Sequence, residues 1–195
     1  YWIQSYWWMR IIGGNFKGKK ILDPQDKKTR PLKDLTKESI FNVLIHSNKF
    51  SINIKNSIIL DLFSGVGSFG LECLSRGAKY VTFVENYSGV LPILKKNLSN
   101  LKIEGKYQVI NDNILNRIDF KKKINKWNII FLDPTFKEKK LPIIIDQISK
   151  DKILSSDGII IIHRHKKEED QFTKKLRVIV EKKYGISKIL FCKLD

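Results

Sequence analysis

The sequence predicts an α/β fold: a doubly wound, mostly parallel sheet, preceded by a small N-terminal β-hairpin and helix and closed by an antiparallel C-terminal hairpin. Three observations carry this reading. From Ser57 onward, short apolar runs alternate with stretches whose apolar residues fall at helical spacing. A glycine-rich turn, "GVGSFG" (Gly65 to Gly70), joins the first apolar run to the helix behind it. The tail "LRVIVEKKYGISKILFCKL" reads as a hairpin turning at Tyr184 and Gly185. Strands that alternate with helices favour a parallel sheet with right-handed crossovers.

Each element has its own justification. "MRIIGGNFKGKKIL" alternates and bends like a hairpin, with Gly13, Gly14 and Gly18 permitting the turns. "DPQDKKTRPLKD" is a loop by its Pro, Asp and charge content. "LTKESIFNVLIHS" places Ile40, Phe41, Leu44 and Ile45 on one helical face. "SIILDLF" suits a strand buried on both faces, and "GLECLSR" is the helix after the turn. The strand "YVTFVE" precedes a helix over "SGVLPILKKNLSNL", expected to start at Ser88, with Pro92 tolerated in its first turn. "YQVI" and "WNIIFL" are the third and fourth strands, "KLPIIIDQIS" a helix, and "GIIIIH" the fifth strand.

Composition narrows the function. The chain has 195 residues, enough for one full domain and a modest extension. No apolar run reaches the ~20 residues of a membrane span, and the aromatic opening "YWIQSYWWMR" lacks the layout of a signal peptide. The only methionine is Met9, so residues 1–8 are read as an upstream or non-native segment. Residues 9–50 are read as the hairpin, basic loop and helix, and residues 51–195 as the catalytic domain. Cys73 and Cys192 lie far apart, as reduced core thiols of a cytoplasmic protein would, and His46, His163 and His165 make no zinc pattern. Thirty-seven Lys plus Arg against twenty Asp plus Glu leave a net charge of +17 and a pI near 9.8. Such an excess suits a polyanionic partner, although a generally lysine-rich surface would give the same balance.

Ligands of doubly wound sheets bind at the carboxyl ends of the strands. Asp61, Glu85, Asp112 and Asp133 each fall at or just beyond such an end. "GVGSFG" matches G-x-G-x-x-G, and Glu85 follows at the separation expected of a Rossmann-like ribose-binding acid. A dinucleotide fits that pattern, but Asp61 stands before the loop, where it would repel a pyrophosphate. S-adenosylmethionine has no phosphate and carries a sulfonium and an ammonium, so the acidic loop suits it better. Glu85 would grip its ribose, and Asp112, beside Ile114, its adenine. The cofactor-binding set is Asp61, Phe63, Gly65, Gly67, Glu85, Asn86, Asp112, Asn113 and Ile114.

"DPTF", Asp133 to Phe136, supplies the chemistry. The nitrogen of a base NH2 is a poor nucleophile because its lone pair is delocalised into the ring. Asp133 and the Pro134 carbonyl can accept its two hydrogens and favour an sp3-like nitrogen, while Phe136 offers a face for a flipped base. Asp133, Pro134 and Phe136 are therefore the catalytic candidates.

"DLFSGVGSFGLECLSRGA" with "FLDPTF" resembles the Asp-Pro-Pro-Tyr/Phe methyltransferases that modify exocyclic amino groups. Adding "MRIIGGNFKGKKI", "TRPLKDLTKESIFNVL" and "VTFVE", the pattern resembles the RsmD family, the bacterial 16S ribosomal RNA guanine-N2 methyltransferases. The resemblance runs from Met9 to about Phe136, more loosely beyond. It implies a methyltransferase domain using S-adenosylmethionine, and a 16S ribosomal RNA substrate in the small subunit or an assembly intermediate. It also implies a "TRPL" segment near the cofactor and a hairpin that contacts RNA, with Lys17, Lys19, Lys20, Lys28 and Arg30 as candidates. A monomer is expected. The chain departs from the pattern at Thr135, which replaces the second proline, and at His163, where an acid is common. Rival readings are an adenine-N6 or protein glutamine methyltransferase, a dinucleotide oxidoreductase, and an RNA-binding protein without catalysis.

Overall fold

The computed structural model describes residues 9–24, 26, 29, 32–114 and 126–195. In chain order the elements are α1 (Asp34–His46), β1 (Ile58–Leu62), α2 (Ser68–Ser75), β2 (Tyr80–Val84), α3 (Leu91–Leu101), β3 (Tyr107–Ile110), β4 (Trp127–Leu132), α4 (Leu141–Asp151), β5 (Leu154–His165), β6 (Leu176–Tyr184) and β7 (Ser187–Leu194). The strands form one sheet in the order β3-β2-β1-β4-β5-β7-β6. β3 through β5 run parallel, and β7 and β6 close the sheet antiparallel. The expected doubly wound, mostly parallel α/β sheet with its terminal hairpin is what the chain forms. Among the described residues, no helix is long and apolar enough to cross a membrane.

Side chains alternate across each strand, so the sheet buries two faces. Ile59, Val81, Phe83, Ile129, Phe131, Ile159, Ile161, Ile189 and Phe191 pack in one core with residues of α1, α2 and α3. Leu60, Leu62, Ile130, Leu132, Ile160, Ile162, Leu190 and Cys192 pack in the other with Leu141, Ile144, Ile145 and Ile148 of α4. Ile144, Ile145 and Ile148 of α4 thus fall on one buried helical stripe, while Ile143 is exposed. Phe41, Phe69 and Phe131 stack in series, with centroids 5.5 and 4.0 Å apart, fixing α1 and α2 against the centre of β4.

Three boundaries differ from expectation. α3 begins at Leu91, not Ser88; Ser88 to Val90 form a turn, and Val90 caps the helix without a side-chain bond. α2 begins at Ser68, inside the glycine motif. β5 extends from Leu154 to His165, and its register with β4 shifts between Trp127 and Ile129 to absorb the polar "LSSDG" start.

The N-terminal hairpin is short: one antiparallel bridge, Arg10 with Lys20, around a 3-10 turn at Gly14–Phe16. Its backbone bonds to the core through polar side chains of helices. The Ile12 N–H donates to Glu72 (2.8 Å), the Phe16 N–H to Ser75 (2.9 Å), and the Leu22 N–H to Asn97 (2.8 Å). Gly14, at φ +74°, lies so close to the Ser75 carbonyl that a Cβ would meet it at 2.0 Å.

Glu72 is fully buried and pairs with Arg76 Nε at 2.8 Å and with the equally buried Lys37 at 3.8 Å. Burial lowers the Lys37 pKa, and Glu72 and Asp34 partly oppose that shift. Removing one member of such a group leaves the other charges buried without compensation. Glu72→Ala should therefore cost about 3–5 kcal/mol in urea unfolding, and Glu72→Gln less. A loss under about 1 kcal/mol for Glu72→Ala would show that the network does not anchor the hairpin.

Candidate active site

Register brings the chemistry together. Asp61 pairs with Phe131 across β1 and β4, and Phe131 with Ile161 across β4 and β5. Leu132 pairs with Ile162, so one step further sets Asp133 opposite His163. By alternation Asp61, Asp133 and His163 share one face at the carboxyl ends of the three central strands.

There they border a cleft of about 320 Å³ lined by Asp61, Phe63, Gly65, Glu85, Asn86, Asn113, Asp133 and Pro134, with Thr29, Tyr87, Phe131 and Glu138 among its other walls. Four carboxylates line it, and among the described residues no Lys or Arg does. In a chain of net charge +17 this is a local inversion of sign.

Asp61 is 1% exposed, and its Oδ2 accepts the Gly70 N–H at 3.0 Å. Burial pushes its carboxyl well above the usual range; the Gly70 bond pulls the other way, and nearby Asp133 and Glu85 push it further up. Glu85 is held by three backbone N–H groups: Gly65 at 2.8 Å, Asn86 at 2.9 Å and Tyr87 at 2.8 Å. A carboxylate offers about four acceptor positions, which leaves one for a ligand hydroxyl.

The glycine loop divides its labour. Gly65, at φ +54°, faces the cleft. Gly67, at φ +86°, lies outside the lining; a Cβ there would meet Leu94 at 2.6 Å, and one on Gly70 would meet the Phe83 ring at 2.2 Å. At those two positions glycine lets the start of α2 pack closely against Leu94 and Phe83.

The Asp133–Phe136 loop is gripped from both faces by consecutive residues of β5. His163 Nδ1 lies 2.8 Å from Asp133 Oδ1. Arg164, fully buried on the other face, donates to the carbonyls of Thr135 (3.0 Å) and Glu138 (2.9 Å). Its guanidinium is held by two bonds of 2.9 Å to Asp170. The carbonyl of Thr135, which stands in place of the second proline, is thus held by Arg164.

Other expected residues fall elsewhere. Asp112 is exposed and outside the lining, its Oδ1 accepting the Asn113 N–H at 2.7 Å, so Asn113 rather than Asp112 faces the cleft. Ile114 packs against the α4-side core. Phe136 stands beside the cleft, edge-on to His165 at 5.0 Å and to His163 at 6.0 Å. Lys17, Lys19 and Lys20 are exposed on the hairpin, Lys19 lying 5.0 Å above the Phe16 ring. Lys28 and Arg30 lie outside the described residues. Arg164 and Asp170 escaped sequence reading because nothing in "HRHKKEED" marks which cation turns inward.

The raised Asp61 pKa has a signed consequence. A carboxyl whose folded pKa exceeds its unfolded value costs stability as pH rises from the unfolded value through the folded one. Asp61→Asn, which keeps an acceptor for Gly70, should raise the melting temperature at neutral pH by about 2–4 °C. The gain should disappear below about pH 4, where both states are protonated. An equal gain at every pH, or a loss at neutral pH, would contradict the burial argument.

Residues 9–193 match the family model described as Conserved hypothetical protein 95. The chain is 34% identical over 154 residues to the ribosomal RNA small subunit methyltransferase D of Escherichia coli, covering 79% of this chain and 73% of that one. It is 32% identical over 179 residues to the Haemophilus influenzae protein of the same name, covering 91% and 90%. Among solved structures, a candidate methyltransferase from Escherichia coli superimposes with a TM-score of 0.79 at 28% identity, covering 96% of this chain and 98% of the other. The chain therefore belongs to the Conserved hypothetical protein 95 family, in which the RsmD-type methyltransferases stand.

Proposed function

We propose that this chain transfers a methyl group from S-adenosylmethionine to the exocyclic N2 of a guanine in 16S ribosomal RNA. The observation that carries the reading is the cleft itself: Asp61, Glu85, Asp133 and Glu138 line it without a described cationic side chain. A dinucleotide would bring a pyrophosphate against these acids, whereas a sulfonium donor brings the charge they lack. The methyl donor is S-adenosylmethionine, which when bound supplies a methyl group on a positively charged sulfur. Asp61 and Glu85, with Gly65 and Asn113, would hold it, Glu85 through its remaining acceptor position.

Asp133 and the Pro134 carbonyl accept the hydrogens of the target amine and leave its lone pair free of the ring. As the new N–C bond formed and the methyl–sulfur bond broke, the sulfur leaving as a neutral thioether, the positive charge would pass to that nitrogen, where Asp133 offsets it. The carboxylate then takes up the proton that the amine sheds. Phe136, braced by two histidine rings, offers its face to the unstacked base. The hairpin lysines Lys17, Lys19 and Lys20 meet the RNA backbone, joined by Lys28 and Arg30, which follow them in the sequence. The ribosomal RNA reading draws on the names of the relatives from Escherichia coli and Haemophilus influenzae. A ribosomal substrate would place the enzyme in the cytoplasm, at the small subunit or an intermediate of its assembly.

The test is methyl transfer to small subunits lacking this modification, followed by digestion and mass spectrometry of the nucleosides. N2-methylguanosine is expected; N6-methyladenosine, or no methylated base, would contradict the proposal. Asp133→Ala should lower kcat at least about 100-fold, with a much smaller effect on cofactor binding. Replacing Lys17, Lys19 and Lys20 together by alanine should raise KM for RNA and flatten its salt dependence, and an unchanged KM would remove the hairpin from the RNA contact.

A further inference from the structure

We propose that His163 is a positioning residue for the transfer: it donates from Nδ1 to Asp133 Oδ1 and so presents Oδ2 to the target amine. The inference rests on the methyl-transfer reading above and extends it to a residue that never touches the substrate amine. An ionised carboxylate only accepts hydrogen bonds, so the 2.8 Å contact requires the proton to sit on Nδ1. The geometry is built rather than incidental. Side-chain exposure is 4% for His163 and 11% for Asp133. The sheet register places the two opposite one another, one step past the pair Leu132 and Ile162. Phe136 stands edge-on to the imidazole at 6.0 Å.

The terminal torsion of an aspartate is broad and nearly two-fold, so its local rotamer does not fix the carboxylate plane. A donor on one oxygen fixes it. That constraint matters here because Asp61 and Glu85 share the cleft with Asp133, and mutual repulsion would favour turning the carboxylate away from them. On the reverse side, His163 also lines a second cavity of about 180 Å³ with Lys33, Tyr184 and Ile186. Arg164, the next residue, fixes the loop's carbonyls, while His163 fixes its reactive side chain.

The experiment compares His163→Leu with His163→Asn, whose amide nitrogen lies at the same bond distance from Cβ as Nδ1. Steady-state kinetics and S-adenosylhomocysteine binding are measured on each, in wild-type and Asp133→Ala backgrounds. His163→Leu should lose about 100-fold in kcat, as a misplaced reacting group does, with cofactor affinity unchanged. His163→Asn should recover at least about tenfold of that loss. In the Asp133→Ala background, His163→Leu should change the residual rate less than about twofold, because its effect runs through Asp133. Equal impairment of both variants, wild-type rates in the leucine variant, or an undiminished effect without Asp133 would overturn the inference. Should the leucine variant fail to fold, nitrogen-15 NMR of the wild-type imidazole decides: a proton on Nδ1 supports the bond, and one on Nε2 alone overturns it. No methyl transfer by the wild-type enzyme would instead sink the methyl-transfer reading, whereas an active wild type that loses its rate with Asp133→Ala but keeps it with His163→Leu sinks this inference alone.

Discussion

The site depends on the register of three parallel strands. β1, β4 and β5 pair so that Asp61, Asp133 and His163 emerge on one face at one end. A slip of a single residue would move all of one strand's side chains to the other face. The two apolar cores hold the register: each strand buries one set of side chains against α1, α2 and α3 and the alternate set against α4. The carboxylates can stand close together only because continuous apolar packing beneath them leaves the strands no other alignment.

Charge is handled locally. The protein carries a large positive excess, yet its central cleft is acidic, and its buried cations face away from that cleft. The buried Lys37 and the half-buried Arg76 meet Glu72 under the hairpin, and the buried Arg164 meets Asp170 behind the Asp133–Phe136 loop. Each buried cation also donates to backbone carbonyls or sits beside a carboxylate, which satisfies groups that would otherwise be costly to desolvate. In both places an ion pair anchors a segment without regular structure of its own: the short hairpin in one case, the Asp133–Phe136 loop in the other. The separation leaves the cleft acidic toward a cationic donor while exposed lysines face the surroundings.

Much of this was legible in the sequence. Alternating strands and helices, the glycine turn and acids at strand ends located the sheet and the cleft, because period and turn chemistry are local properties. What stayed hidden depends on tertiary contact. Nothing local told that Gly67 packs against Leu94 and Gly70 against Phe83. Asp112 resembled its neighbours at strand ends but turns back on its own chain, and Asn113 takes the place in the lining. His163 was visible only as a departure from the family pattern; its role follows from register, which the sequence does not print. The start of α3 at Leu91 shows the same limit, since Ser88 is a good capping residue that the chain spends on a turn.

An acid-lined cleft at these strand ends suits a cationic methyl donor rather than a dinucleotide. Isothermal titration of the purified protein with S-adenosylmethionine, and separately with NAD, tests it most directly. Saturable binding of S-adenosylmethionine at one site, displaced by S-adenosylhomocysteine and accompanied by no measurable heat with NAD, is the expected result. Saturable NAD binding without any for S-adenosylmethionine would contradict the account.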